Sequence, residues 1–110
     1  MKHVAAEYPK EACGLLVLDQ GFEKFISMTN KAEEPLSEFT FEPKEYINVL
    51  LNYEIKTIVH SHPDSTPEPS EHDIMACNMI DIPYLIISYP NVDSFIMNPG
   101  DFKNAKNTRI

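Results

Sequence analysis

The sequence predicts an α/β domain, a mixed β-sheet flanked by helices, formed by one domain over residues 1–110. Three observations point there. Short apolar runs, too short for helices, recur along the chain between turn residues. Two longer segments carry their apolar residues at helical spacing. The two kinds of segment interleave, with several strands joined by short turns, which is how a sheet flanked by helices reads in sequence.

In order, residues 1–8 suit a short helix that Pro9 stops. Residues 12–18 (ACGLLVL) form an apolar run bounded by charges, hence a buried strand. Asp19, Gln20 and Gly21 make a turn, and residues 22–29 alternate as the returning strand of a hairpin. Residues 30–37 are polar and contain a proline, so they form a loop; 38–41 alternate as a short strand ending at Pro43. Residues 44–52 place Tyr46, Ile47, Val49, Leu50 and Leu51 at helical spacing, an amphipathic helix against the sheet. Residues 55–60 (IKTIVH) make the best central strand, and 63–69 (PDSTPEP) must be loop. Residues 70–80 form a second helix with Ser70 as N-cap. Residues 84–88 and 92–97 give two further strands, and the polar tail from Gly100 is expected to be loose.

Composition narrows the function. With 43% hydrophobic and 24% charged residues the chain reads as soluble and globular, and 110 residues suffice for a genuine core. No apolar run approaches the roughly 18 residues of a spanning helix, and the N-terminus lacks the apolar centre of a signal peptide. Seventeen acidic against nine basic side chains give a net charge of −8. Without a basic stripe to neutralise phosphates, nucleic acid is not the expected partner. Cys13 and Cys77 lie far apart and outside any CxxC pair, so two buried thiols in a reducing cytoplasm are expected.

The chemically informative stretch is H-S-H-P-D-S-T-P-E-P-S-E-H-D, residues 60–73. Residues two apart on a strand share a face, so His60 and His62 can present both imidazoles to one ion. A proline-rich loop then leads into a helix whose first turn holds Ser70 and Asp73, and folding that turn back over the strand end brings Asp73 to the same point. Two histidines and a carboxylate leave a fourth position open, as in hydrolytic zinc sites, although such ligands suit other divalent metals nearly as well. Each part also has an ordinary reading: a lone strand histidine is usually packed or solvated, and Ser-x-x-Asp is the spacing of a capping box. His72 and His3 read as surface residues. Glu11, directly before the first apolar strand, is either the base such a site needs or an exposed strand-end charge. Gly14 within that strand suggests a close backbone approach or a bulge, suiting a crowded site.

Taken together, E-A-C-G-L, H-S-H-P and S-E-H-D resemble the signature of JAMM (MPN-plus, Mov34/PAD-1-like) metalloproteases, an upstream Glu followed by H-x-H-x7-S-x-x-D. The resemblance covers nearly the whole chain. It implies one zinc ion per chain on His60, His62 and Asp73, with Glu11 activating the water and Ser70 stabilising the oxyanion. It also implies hydrolysis of peptide or isopeptide bonds and a cytidine-deaminase-like fold. The flanks, A-x-x-Y-P-K-E-A-C-G-L-L and S-E-H-D-I-M-A-C-N-M-I-D-I-P-Y-L-I-I-S, are similar to the N-terminal domain of the lambdoid phage tail assembly protein K family. In that family a papain-like cell-wall peptidase domain often follows. The sequence ends at Ile110, so that domain and its activity are not expected here. The short 30–37 loop speaks against a dedicated deubiquitinase. The expectation is therefore a zinc hydrolase of phage or prophage tail assembly, located in the host cytoplasm or the virion tail. Its partners would be a peptide or protein substrate and phage tail proteins, not nucleic acid or membrane. The alternatives are a bacterial peptidase acting on a ubiquitin-like sulfur carrier, and a non-catalytic tail component with a structural metal.

Overall fold

Antiparallel and parallel pairing meet at one central strand, and this sets the architecture. A computed structural model describes residues 1–102. Its elements run α1 (Lys2–Glu7), β1 (Cys13–Asp19), β2 (Phe22–Met28), α2 (Pro43–Asn52), β3 (Glu54–Pro63), α3 (Glu71–Ile80), β4 (Tyr84–Tyr89) and β5 (Asp93–Met97). They form a five-stranded sheet in the order β2-β1-β3-β4-β5. The β1 strand runs antiparallel to β2 and β3, β3 parallel to β4, and β4 antiparallel to β5. Tight turns join β1 to β2 and β4 to β5, β2 and α2 intervene between the antiparallel β1 and β3, and the parallel pair needs a crossover, which α3 supplies.

Strand alternation places Cys13, Leu15 and Val17 on one face of β1, all buried. They join Met28, Ile58, Tyr84 and Met97 of the neighbouring strands, with Val49 of α2 and Cys77 of α3 packed among them. Removing a side chain such as Leu15 or Ile58 from water contributes about 1.5–3 kcal/mol each. The thiols of Cys13 and Cys77 are free and buried within this core.

Where sequence and structure part, tertiary contacts explain it. Residues 38–41 do not form the predicted strand; only Asn30 and Phe41 make an isolated bridge. The alternating Phe39 and Phe41 instead turn their rings onto His60 and Tyr46. The β3 strand runs three residues past His60, because Ser61, His62 and Pro63 pair with Ile87, Ser88 and Tyr89 of β4. The α2 helix opens with Pro43 at its first turn, where the missing N–H costs nothing, and Glu42 caps it by accepting from the Glu45 amide. His3 is half-buried rather than on the surface, its Nε2 lying 3.0 Å from the Cys13 carbonyl oxygen. The irregularity in the β1–β3 ladder falls between Leu16 and Val17. Gly14 answers to a different approach: an added Cβ there would run into the Phe25 ring and lie 2.8 Å from the Ile26 carbonyl oxygen. The tail expected to be loose lies outside the described residues beyond Phe102. Before that point the Gly100 amide bonds to Asn78 and Phe102 packs on the core.

Candidate metal centre

The carboxyl end of β3 carries the site. His60 and His62 project from the same face of this strand, and α3 begins across from them. Ser70 accepts from the Asp73 amide at 3.1 Å, and the Asp73 carboxylate accepts from the Ser70 amide at 3.0 Å, a reciprocal capping box. This box fixes the first turn of α3 and with it the Asp73 carboxylate. Asp73 Oδ1 lies 3.2 Å from His60 Nε2, Asp73 Oδ2 lies 3.1 Å from His62 Nε2, and the two Nε2 atoms are 3.2 Å apart.

These separations can be tested against a metal. An ion with bonds of about 2.0–2.1 Å to nitrogen and oxygen holds tetrahedral ligands about 3.3–3.4 Å apart. The edge between the two Nε2 atoms falls just inside that length. The carboxylate meets His60 through Oδ1 and His62 through Oδ2, and one ligand atom from each of the three residues lies within 4.8 Å of the others, a group able to hold one ion. The protonation pattern fits as well. His62 Nδ1 lies 3.0 Å from the Thr66 carbonyl, which only accepts, so Nδ1 carries a proton and Nε2 is left as the ligating atom. His60 is buried between the rings of Phe39, stacked at 4.5 Å, and Tyr84, edge-on at 5.5 Å. Its Nδ1 has no partner among the described residues, so its polar engagement is all at Nε2.

The electrostatics favour a neutral His60 ring and a more basic His62 ring around an ionised carboxylate. Burial lowers the His60 pKa despite its bond to Asp73, keeping that imidazole neutral. Burial also works against protonation of His62, but hydrogen bonds to Asp73 and Thr66 outweigh it and raise its pKa. Burial would raise the Asp73 carboxyl; hydrogen bonds from His60 and His62 overcome this and hold it well below the usual carboxylate range.

Glu11 reaches the site through strand pairing. Cys13 pairs with His60, and the ladder continues through Ala12 and Ser61, whose amide donates to the Ala12 carbonyl at 3.0 Å. One step further back in the chain, Glu11 feels the charge of His62 and shares a cleft with it. It is 6% exposed, which removes the reading of an exposed strand-end charge. Burial, with help from the charges of Asp73 and Glu38 and opposed by His62, pushes its carboxyl up to about 7. Glu11, His62, Ser70 and Asp73 line a cleft of about 470 Å³, with Leu36, Ser37, Glu38 and Phe39 among its other walls. His72 is exposed as expected, yet it lines this cleft too.

Several contributors carry little sequence signal. Thr66 acts through its carbonyl, which any residue possesses. Ser61 is buried and its Oγ accepts from the Ala12 amide at 2.7 Å; its place inside H-S-H is the one available hint. Phe39 reads as a strand residue.

A central parallel strand ending in two histidines, a carboxylate delivered by the following helix, and a buried glutamate beside them define an α/β domain with a candidate divalent-metal centre. The chain belongs to the family described as prokaryotic homologs of the JAB domain, which it matches over residues 1–98. It is 36% identical over 99 residues to the tail tip assembly protein K of Escherichia phage N15, covering 90% of this chain and 41% of that protein. The chain thus spans about two fifths of that relative. It is also 29% identical to a probable TtuB-protein conjugate cleaving protease of Thermus thermophilus, over 89% of this chain and 69% of that one. To a desampylase of Haloferax volcanii it is 30% identical, over 76% of this chain and 66% of that one. Among solved structures, a Desulfitobacterium hafniense protein matches with a TM-score of 0.67 and 27% identity, covering 88% of this chain and 76% of that one. A JAB1/MPN domain protein of Archaeoglobus fulgidus matches with a TM-score of 0.58 at 20% identity, covering 88% and 78%. The fold is that of JAB/MPN domains.

Proposed function

We propose that residues 1–110 form one zinc-dependent hydrolase domain that cleaves peptide or isopeptide bonds during phage or prophage tail assembly. The observation that carries this reading is the pairwise contact of His60, His62 and Asp73 at 3.1–3.2 Å, with buried Glu11 lining the same cleft as His62 and Asp73. His60 and His62 would hold the ion through Nε2 and Asp73 through its carboxylate. Bound zinc supplies Lewis acidity, which polarises a carbonyl and lowers the pKa of water to about 7.

The chain's own groups do the rest. The Thr66 carbonyl fixes the His62 tautomer, and Phe39 and Tyr84 hold the His60 ring. The Glu11 carboxylate takes a proton from the attacking water and passes it to the departing nitrogen as the C–N bond breaks. Burial makes this carboxyl a stronger base than an exposed glutamate, which suits it to take up that proton and hand it on. Ser70 Oγ accepts the Asp73 amide, which leaves its own proton available to the oxyanion.

Similarity to two conjugate-cleaving relatives supports an isopeptide between a small ubiquitin-like carrier and a protein as the second substrate reading. No helix among the described residues is long and apolar enough to cross a membrane, and the host cytoplasm is the proposed place of action. The test is zinc-loaded protein incubated with phage tail proteins, linear peptides and carrier–protein conjugates, with products identified by mass. Cleavage that Glu11→Gln abolishes while retaining zinc supports the proposal. A wild-type rate in Glu11→Gln overturns it, and a folded, zinc-loaded protein inert on all three classes favours the non-catalytic tail component.

A further inference from the structure

Asn30, just beyond β2, uses every hydrogen-bonding group of its side chain on main chain. Nδ2 donates to the carbonyls of Glu11 and Glu38, both at 2.9 Å. Oδ1 accepts from the amides of Ala32 at 3.0 Å and Thr40 at 3.1 Å. All four partners have fixed polarity, so the side-chain amide can sit only this way round.

Two structures are joined at this point. The bonds to Ala32 and Thr40 close the loop from 31 to 41 upon itself, alongside the Lys31 amide donating to the Thr40 carbonyl at 2.7 Å. The bonds to Glu11 and Glu38 fasten that closed loop to the segment bearing the buried carboxylate, where the Glu11 amide also donates to the Pro35 carbonyl at 2.6 Å. The same loop supplies Leu36, Ser37, Glu38 and Phe39 to the cleft, and Phe39 stacks on His60. Asn30 itself does not line the cleft and touches none of the three candidate ligands. One side chain outside the site therefore sets the distance between Glu11 and the wall that faces it.

We propose that Asn30 is a positioning residue, a clasp that holds the Glu11 backbone and the 31–41 loop in one rigid arrangement so that the carboxylate meets substrate at a fixed place. Its catalytic consequence rests on Glu11 being the base; its structural half does not. The clasp acts on Glu11 and the cleft wall, not on the ion.

The test uses Asn30→Asp, which keeps the shape and both acceptor contacts but loses both donors, and Asn30→Ser, which removes the clasp without adding charge. Zinc affinity, titrated with the metal alone, should fall far less than in His62→Ala, because all three ligands are kept and only the Phe39 ring against His60 is loosened. Followed by NMR, hydrogen exchange of the Glu11 amide, which donates to the Pro35 carbonyl of the clasped loop, should speed up about tenfold or more relative to amides of the central strands. On any substrate found, kcat should fall about tenfold or more with KM little changed. Glu11 amide exchange as slow as in wild type in either folded variant overturns the clasp, whatever the melting temperature does. A full rate in Glu11→Gln would instead remove the base reading and leave the NMR result standing. Should neither variant fold, amide exchange in wild type decides. Glu11, Ala32 and Thr40 amides opening at one common rate supports the clasp, and independent rates overturn it.

Discussion

Glu11→Gln separates the charge of this residue from its shape, and the burial of Glu11 sets how large the effect should be. Burial raises its carboxyl from 4.5 to about 7 in the folded protein. Between those values the folded protein retains a proton that the unfolded chain has released, so stability must fall as pH rises. The stabilisation is fully present below pH 4.5 and is lost by the time pH passes the folded value of about 7. A gap of about 2.5 pH units, at about 1.4 kcal/mol each, amounts to about 3 kcal/mol. Glutamine carries no charge at either end and escapes this loss. His60, His62 and Asp73 titrate in both proteins and largely cancel in the comparison. Urea unfolding of chelator-treated wild type and variant at pH 4.5 and pH 8 should therefore show the variant gaining about 3 kcal/mol on wild type between the two. Zinc should shrink the gap, because a nearby cation favours the carboxylate. Parallel pH profiles for the two metal-free proteins would refute the reasoning: Glu11 would then be ionised and solvated in the folded state.

Three further outcomes follow from the same geometry. Ser70→Ala, losing only the cap, should cost about 0.5–2 kcal/mol; as an oxyanion donor it should also lower kcat by about 10²–10³ with KM little changed. A wild-type rate per folded, zinc-loaded molecule would leave Ser70 a cap and nothing more. Gly14→Ala forces a Cβ against Phe25 and the Ile26 carbonyl, so the urea midpoint should drop by the equivalent of about 1–3 kcal/mol; an unchanged midpoint would mean the Phe25 ring moves aside freely. Zinc affinity should fall as pH drops through the raised His62 range, by about tenfold per pH unit for the one proton displaced, while Asp73 stays ionised. Affinity that is flat across this range would argue against an imidazole ligand.

The parts of this site legible in sequence are those that depend on local geometry. Two residues apart on a strand means one shared face, so spacing alone puts His60 and His62 together, and Ser70 and Asp73 at a helix start have one favoured arrangement. The position of Glu11 is harder to read, because it depends on the β1–β3 register, a contact between residues about fifty apart in sequence. Asn30 is out of reach: a single polar residue after a strand says nothing of four backbone partners, three along the loop that follows and one, Glu11, 19 residues back. Residues 38–41 mislead for a related reason. Alternating phenylalanines are a strand pattern only if a neighbouring strand is free to pair, and here Phe39 and Phe41 alternate between two aromatic partners instead. The β3 extension through Pro63 shows the converse. A proline can close a strand when its neighbour supplies the pairing, here Tyr89.

Whether His60, His62 and Asp73 hold zinc is tested most directly by chelating the purified protein, titrating zinc back by calorimetry, and recording X-ray absorption on the loaded sample. The expected result is one zinc per chain in a shell of nitrogen and oxygen alone, with distances of about 2.0–2.1 Å, and loss of tight binding in His62→Ala. Sulfur in the first shell, or undiminished binding in His62→Ala, would contradict the assignment.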